Sequence, residues 1–500
     1  MTAKQYIKLS GSRRVVLNMG FLLMTRIAAM ASSLVFVVIV ARKWGPAGYG
    51  QYALVLVFIS YFAFLSNFGL DRVAIQRVAA GDNAGIYLVN SLVARLGLSC
   101  LAILCIIGIM WVSGRPDLFL ATVIASGSMM ANSLYQAFSA LFQAQERMDV
   151  LAFVELPITI VRSGLGIVVV LGGHRLVPLL SVYLLVDAFQ ALVGLVVYLR
   201  IINPILKWPQ PSYIFGLIRS GAPLAMWVLS SVIEFRIGVI VLSYYWGDTV
   251  VGLYAAPYKV VDLTSITTLA MTSALLPTFS RLFAKSRESF ARAYGVACRL
   301  ILIVFLPVAV GTTVLAKPLV VLFFGPEYLA SSRSLQLLVW AVVAMSLQYL
   351  GGTALLAIGR WGRIPLLGII VVVSALLAAF LLIPTWGNTG AALALIISEI
   401  VNACVTFLLV WRYTQVWPEL HGLDSLVASL AVWGTLLWLV REVNVLIVLA
   451  GAIPLYLLLV LIFKAVKPDD LELAAAFLPQ RVYAKFFRSP VVEKYNYKDI

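Results

Sequence analysis

Charge is what this chain has least of. Asp, Glu, Lys and Arg make up 12% of its 500 residues, about half the 25% typical of a soluble domain, too few to cover a water-facing surface of that size. Histidine is nearly absent: His174 and His421 stand apart, and neither has a second metal-ligating residue at a useful spacing. The four cysteines, Cys100, Cys105, Cys298 and Cys404, form no C-x-x-C and all fall inside apolar runs, where a thiol is a small hydrophobe rather than half of a disulfide. No Walker A loop occurs, which excludes ATP-driven export within this chain. A soluble enzyme, a disulfide scaffold and a disordered chain are excluded together, and nothing in the residues asks for a cofactor or a metal.

What is present is hydrophobicity, 62% of residues with a mean hydropathy of +1.01. About fourteen apolar runs reach the roughly 20 residues that a membrane helix needs. They are continuous, without the period-2 alternation of a barrel strand. The expected fold is therefore an all-α polytopic membrane protein with about fourteen transmembrane helices. The expected organisation is a cytoplasmic N-terminus over 1–14, a six-helix bundle over 15–203, a linker over 204–212 broken by Pro204, Pro209 and Pro211, and a second six-helix bundle over 213–414. An extra helix pair over 422–464 and a cytoplasmic tail over 465–500 follow.

The net charge of +16 sorts by membrane side. With the N-terminus in the cytoplasm, twenty-five of the 37 Lys and Arg lie on that side, and only Arg42, Lys43, Arg115, Arg175, Lys317, Arg333 and Arg441 lie opposite. This asymmetry predicts that both termini are cytoplasmic. It also accounts for the basic excess without a nucleic-acid partner, because no basic run sits on a soluble domain.

The chain repeats itself. Trp44-Gly45-Pro46-Ala47-Gly48-Tyr49-Gly50-Gln51-Tyr52-Ala53 lies between the first two runs, and Trp246-Gly247-Asp248-Thr249-Val250-Val251-Gly252-Leu253-Tyr254-Ala255 between the seventh and eighth. Both read W-G-x4-G-x-Y-A at an offset of 202 residues. Asp187-Ala188-Phe189-Gln190-Ala191 in the sixth run matches Glu399-Ile400-Val401-Asn402-Ala403 in the twelfth. Six spans per half make the repeats parallel, a symmetry that places a substrate site between halves near mid-membrane and suits alternating access.

Ionisable residues inside the runs cost about 2.5–3.5 kcal/mol each on insertion scales, so they mark pairs or a wet cavity. Arg26 lies mid-span with no acid on its own helix. Its guanidinium suits an anion clamp for phosphate oxygens, or an inter-span bond to Asp187, Glu234 or Asp262. Arg236, Lys259 and Arg95 are further bases for such an anion site. Lys259 and Asp262, three apart, could instead satisfy each other. Glu155 and Arg162 are seven apart and too distant to touch. Asp187 and Glu399, with Glu234 and Asp262, are either coupling carboxylates or structural hydrogen-bonding acids.

The stretch Ala41 to Ala53, with Asn67-Phe68-Gly69-Leu70-Asp71-Arg72 and Phe324-Gly325-Pro326-Glu327-Tyr328, resembles the Wzx-type oligosaccharide flippases of the multidrug/oligosaccharidyl-lipid/polysaccharide (MOP) exporter superfamily. The resemblance implies two six-helix bundles in a V shape like that of MATE exporters and of MurJ, a lipid II flippase. It implies a membrane transporter, not an enzyme, that flips a polyprenyl-diphosphate-linked oligosaccharide across the bacterial cytoplasmic membrane for surface polysaccharide assembly, among membrane lipids and beside a polysaccharide polymerase and a chain-length regulator. On that reading Arg26 and Arg236 meet the diphosphate. A cation-coupled multidrug exporter of the same fold would favour an acidic, aromatic cavity. A membrane glycosyltransferase or polymerase would need outer-face acids, and the longest outer segment, about Leu315 to Ser334, offers only Glu327.

Overall fold

A computed structural model describes residues 11–202, 207–359, 364–415, 417–418 and 422–466; for 11–24, 26, 27 and 364–366 it describes the backbone alone. The helices are α1 (Gly11–Asn67), α2 (Leu70–Ala79), α3 (Ala84–Val112), α4 (Pro116–Ala144), α5 (Met148–Leu171), α6 (Leu176–Ile202), α7 (Pro211–Lys285), α8 (Arg287–Phe324), α9 (Ser332–Ala357), α10 (Ile364–Thr414), α11 (Leu423–Leu439) and α12 (Val445–Ile462), with a 3-10 turn at Pro326–Ser331. No strand occurs among the described residues. Among the described residues ten helices are long and apolar enough to cross a membrane, and α11 is a shorter apolar one. The chain is an all-helical membrane protein.

Three helices are too long to be single straight spans. α1 has 57 residues, α7 75 and α10 51. At 1.5 Å per residue even α10 would run about 77 Å, against a hydrocarbon core of about 30 Å. Each bends at one glycine: Gly45 (φ 65°, ψ −179°), Gly247 (φ 74°, ψ −177°) and Gly387 (φ 54°, ψ −131°). A positive φ is strained for any side chain with a Cβ. Gly45 and Gly247 are the glycines of the repeated Trp-Gly pair, and they adopt the same backbone conformation. Where the sequence suggests loops between runs, the helix instead breaks at a single residue. The repeated tryptophans also behave alike. Trp44 Nε1 donates to the His174 carbonyl (3.2 Å), and Trp246 Nε1 to the Ile383 carbonyl (2.9 Å).

Two compact units emerge. One comprises Met1–Lys259, Val320–Ser334 and Ile364–Ser398; the other comprises Val260–Leu319, Leu335–Arg363 and Glu399–Ile500. These bounds divide α7, α8, α9 and α10 internally.

In the first unit α4 is the central helix. Its inward positions are mostly Ala and Ser (Ala121, Ala125, Ser126, Ser128, Ala131, Ser133, Ala137, Ser139, Ala140), small enough for neighbouring backbones to approach closely in a membrane. Near its C-terminal end Phe138 and Phe142 pack on Tyr198 of α6, at centroid distances of 6.0 and 5.6 Å. The short α2 does not register as an apolar run because Asp71, Arg72, Gln76 and Arg77 interrupt it, although Leu70, Val73 and Ala74 are buried. In the second unit Phe279, Phe290 and Tyr294 form an aromatic stack. There α11 and α12 dock on α8 through Trp433, whose Nε1 donates to Ala452 O (2.9 Å), and Tyr456, whose hydroxyl donates to Ile303 O (2.7 Å).

The two repeat turns pack reciprocally within the first unit. A Cβ on Gly50 would run into the Asp248 carbonyl, and one on Gly252 into the Pro46 carbonyl. Gly50 and Gly252 are repeat-equivalent, as are Pro46 and Asp248, so the crossing has local two-fold character. Gly50→Ala or Gly252→Ala should cost about 3 kcal/mol or more, since the obstacle is backbone and cannot swing aside. Gly97→Ala, where nothing lies within 4 Å, should be tolerated. Thermal unfolding in detergent compares the three.

Candidate functional site

Three groups of ionisable residues in the first unit hold most of the expected candidates. The first lies around the turn after α1. Arg95 of α3 is fully buried, at 0% exposure. Its Nη2 bonds Asp71 Oδ1 (2.5 Å), and its Nη1 donates to the Ser133 carbonyl (3.0 Å). Asn67 also donates to Asp71. Tyr87 donates to Leu70 O (2.6 Å), and Ser133 Oγ to Ser66 O (2.9 Å). The motif Asn67 to Arg72 thus lines a largely buried polar network. Arg95, expected among the diphosphate ligands, is placed here against Asp71 and the Ser133 carbonyl.

The second group joins α4, α5 and α6. Arg162 Nη1 lies 3.2 Å from Asp187 Oδ1, and Ser128 donates to Asp187 Oδ2. The guanidinium stands 4.4 Å from the ring centroid of Tyr183, a cation–π distance. Tyr183 packs on Phe36, which packs on Tyr52. Arg162 is about one third exposed and Asp187 is buried. The acid expected to couple or to brace is therefore matched by a base. Spacing along the chain carries no hint of this, because the partners sit on different helices.

The third group lies on the two arms of α7. Arg236 is 11 residues before Gly247 and Lys259 is 12 after it, so both sit about 16–18 Å along their arms from the bend. Arg236 stands 5.3 Å from the Tyr258 ring centroid and within electrostatic reach of Tyr61. Glu234, on the same arm, accepts from Ser398 Oγ (3.2 Å). It lines a small cleft, with room for about one water molecule, together with Gly238, Tyr254, Ala375 and Ala391. Gly238 is the repeat equivalent of Phe36, at the same offset of 202. In the first repeat a ring fills this place; in the second the cleft stands there.

Arg26 lies on α1, but its side chain is outside the described residues. Glu399 is buried at 2% exposure and, like Asp262, belongs to the second unit. The linker residues 203–206, His421 and the tail from 467 onward lie outside the described residues.

Comparison with known proteins bears on this arrangement. The family model described as polysaccharide biosynthesis protein matches residues 15–283. A probable low-salt glycan biosynthesis flippase, Agl15 of Haloferax volcanii, is 22% identical over 370 residues, 72% of this chain and 76% of its own length. Among solved structures, the lipid II flippase MurJ in an inward closed conformation superposes with a TM-score of 0.72 at 16% identity, covering 90% of this chain and 98% of that one. An inward-facing multidrug resistance MATE family transporter of the MOP superfamily superposes with a TM-score of 0.64 at 18% identity, covering 78% and 98%. The fold is that of MurJ and the MATE transporters.

The Arg95 network makes a separable prediction. Arg95→Ala should destabilise the protein by about 3–5 kcal/mol by leaving Asp71 unmatched. Arg95→Met combined with Asp71→Asn should recover much of that loss. Melting temperature and the amount of protein in the membrane measure both.

Proposed function

The chain belongs to the polysaccharide biosynthesis protein family, and from that premise we propose that it is a lipid-linked oligosaccharide flippase. It moves a polyprenyl-diphosphate-linked oligosaccharide across the bacterial cytoplasmic membrane by alternating access, without making or breaking a covalent bond. Both termini are cytoplasmic on this reading. Each kinked helix counts as two crossings and α11 as one, giving fourteen. The halves are six-helix bundles over 15–203 and 213–414 with an added pair over 422–464. A polysaccharide polymerase and a chain-length regulator act beside it.

The observation that carries the proposal is the pair of arms around Gly247. Arg236 and Lys259 bring two cationic groups to the same depth on one bent helix, and each is half-buried. A cationic pair at mid-span suits an anionic headgroup. The guanidinium forms paired bonds to phosphate oxygens while the ammonium adds a point charge. Arg26, on the repeat-equivalent first span, joins them. A drug exporter would rely on unmatched acids, whereas Asp187 is answered by Arg162. Asp187 and Glu399 brace the repeats or couple transport to a cation.

The test is transbilayer movement of a fluorescent polyprenyl-diphosphate oligosaccharide in vesicles containing the purified protein. Arg236→Ala and Arg26→Ala should each slow it about ten- to a hundredfold, the loss of one charged hydrogen-bonding group, at unchanged protein content. The lysine variants should keep part of the rate. Unchanged movement in both alanine variants would remove the diphosphate role.

A further inference from the structure

At one end of the first unit the two repeats are tied together by side chains as well as by the Gly50–Gly252 crossing. Arg42 Nε donates to Phe323 O (2.9 Å) and its Nη2 to Leu322 O, at the C-terminal end of α8. The Tyr328 hydroxyl donates to Ala41 O (3.2 Å). Arg115, between α3 and α4, reaches Asp248 with two parallel bonds, Nη1 to Oδ1 at 3.1 Å and Nη2 to Oδ2 at 2.7 Å. All these residues lie in segments that the charge asymmetry assigns to the outer face.

The third tie differs in kind from the others. Arg42 and Tyr328 bind backbone carbonyls, whereas Arg115 and Asp248 are both charged and bind as a fork. They are also wet: the side chains are 29% and 17% exposed. Arg115 holds a second carboxylate, Asp117, through Nε (3.1 Å) and Nη2 (3.0 Å), and Asp117 is 47% exposed. If Asp248 departs, the guanidinium keeps Asp117 and Asp248 passes to water. Neither charge is stranded, the condition that makes breaking a buried pair prohibitive. Asp117 foremost, with Asp248, holds the pKa of Arg115 above its ordinary value, so the guanidinium stays charged throughout. The device is also single. Pro46 occupies the place of Asp248 in the first repeat, so that turn offers no carboxylate.

We propose that Arg115 and Asp248 form a releasable latch on the Trp-Gly turns, closed in this structure and opened when the outer ends of the repeats part. The latch deepens the alternating-access reading and rests on it: the outer ends open to release cargo, and the Gly50–Gly252 crossing separates only after the fork lets go. Asp117 is the keeper that positions Arg115 for reclosure.

The experiment uses the full chain in nanodiscs, with Cys100, Cys105, Cys298 and Cys404 replaced by alanine. A reporter cysteine at Ala53, which is buried one turn inward from Gly50, is labelled with a charged maleimide. Asp248→Asn and Arg115→Gln should each speed labelling about three- to fivefold, the scale of a partly exposed ion pair. Raising the salt to about 1 M should speed the parent similarly, since the Debye length there is about 3 Å, and should add little in the two variants. Because the salt series uses the native pair, the latch stays testable even if a variant folds poorly. A double variant, Arg115→Cys with Asp248→Cys bridged by a reducible cross-linker, should label slowly and move no lipid-linked oligosaccharide until reduced. Labelling indifferent to both salt and Asp248→Asn overturns the latch, and so does undiminished transport by the bridged protein. Labelling that responds as expected, in a protein that moves no lipid-linked oligosaccharide in any form, upholds the latch and overturns the flippase reading instead.

Discussion

A charge surrounded by hydrocarbon must bring its partner with it, and much of this architecture follows from where the partners stand. Water cannot repair an unmatched guanidinium in the middle of a span. Arg95 finds Asp71 across the turn after α1, and Arg162 finds Asp187 on the adjoining helix. Each pair spans two helices, so each fixes a helix contact that apolar side chains alone would leave free to slide in lipid, where no hydrophobic force presses one helix against another. The small residues along α4 bring the helices close enough for these bonds to form, and the bonds then fix the register of the small residues.

The same logic decides what can be read along the chain. Fold class, helix pairing at the C-terminus and the repeat are legible, because apolar run length and the W-G-x4-G-x-Y-A spacing are local signals. Even the shared bend is implicit in the paired Gly45 and Gly247, although the spacing suggests a loop rather than a one-residue break. The ion pairs are not legible. Spacing gives Arg162 no partner, since Glu155 seven residues back is too distant to touch, whereas its partner lies 25 residues on, on another helix. Arg115 counts only as one of the few outer-face charges, although its partner Asp248 is 133 residues away. Helical spacing reports neighbours at three or four residues and says nothing of a neighbour on another helix.

Arg42 illustrates how a residue can obey two rules at once. It stands against the charge asymmetry, a cation on the side that should have few. Its guanidinium lies on the carbonyls of Leu322 and Phe323, at the end of a helix where orphan acceptors and the dipole both favour a cation. The motif from Ala41 to Ala53 therefore touches the segment around Phe324 to Tyr328, and two stretches that look like separate signatures form one structure. Gly45 completes it, since a Cβ there would stand 3.0 Å from the Glu327 carboxylate.

The repeats share a backbone more closely than they share side chains. Gly45 matches Gly247, Trp44 matches Trp246 in its bond to a carbonyl, and Gly50 interlocks with Gly252. At other positions the correspondence fails. Phe36 packs on Tyr52 and Tyr183, while its counterpart Gly238 leaves a cleft beside Tyr254 and Glu234. Pro46 carries no charge, while its counterpart Asp248 carries the carboxylate that Arg115 grips. Both departures fall on α7, one at the cleft beside Glu234 and one at the Asp248 carboxylate, so the two repeats share the bend and the crossing while the charges and clefts around them differ.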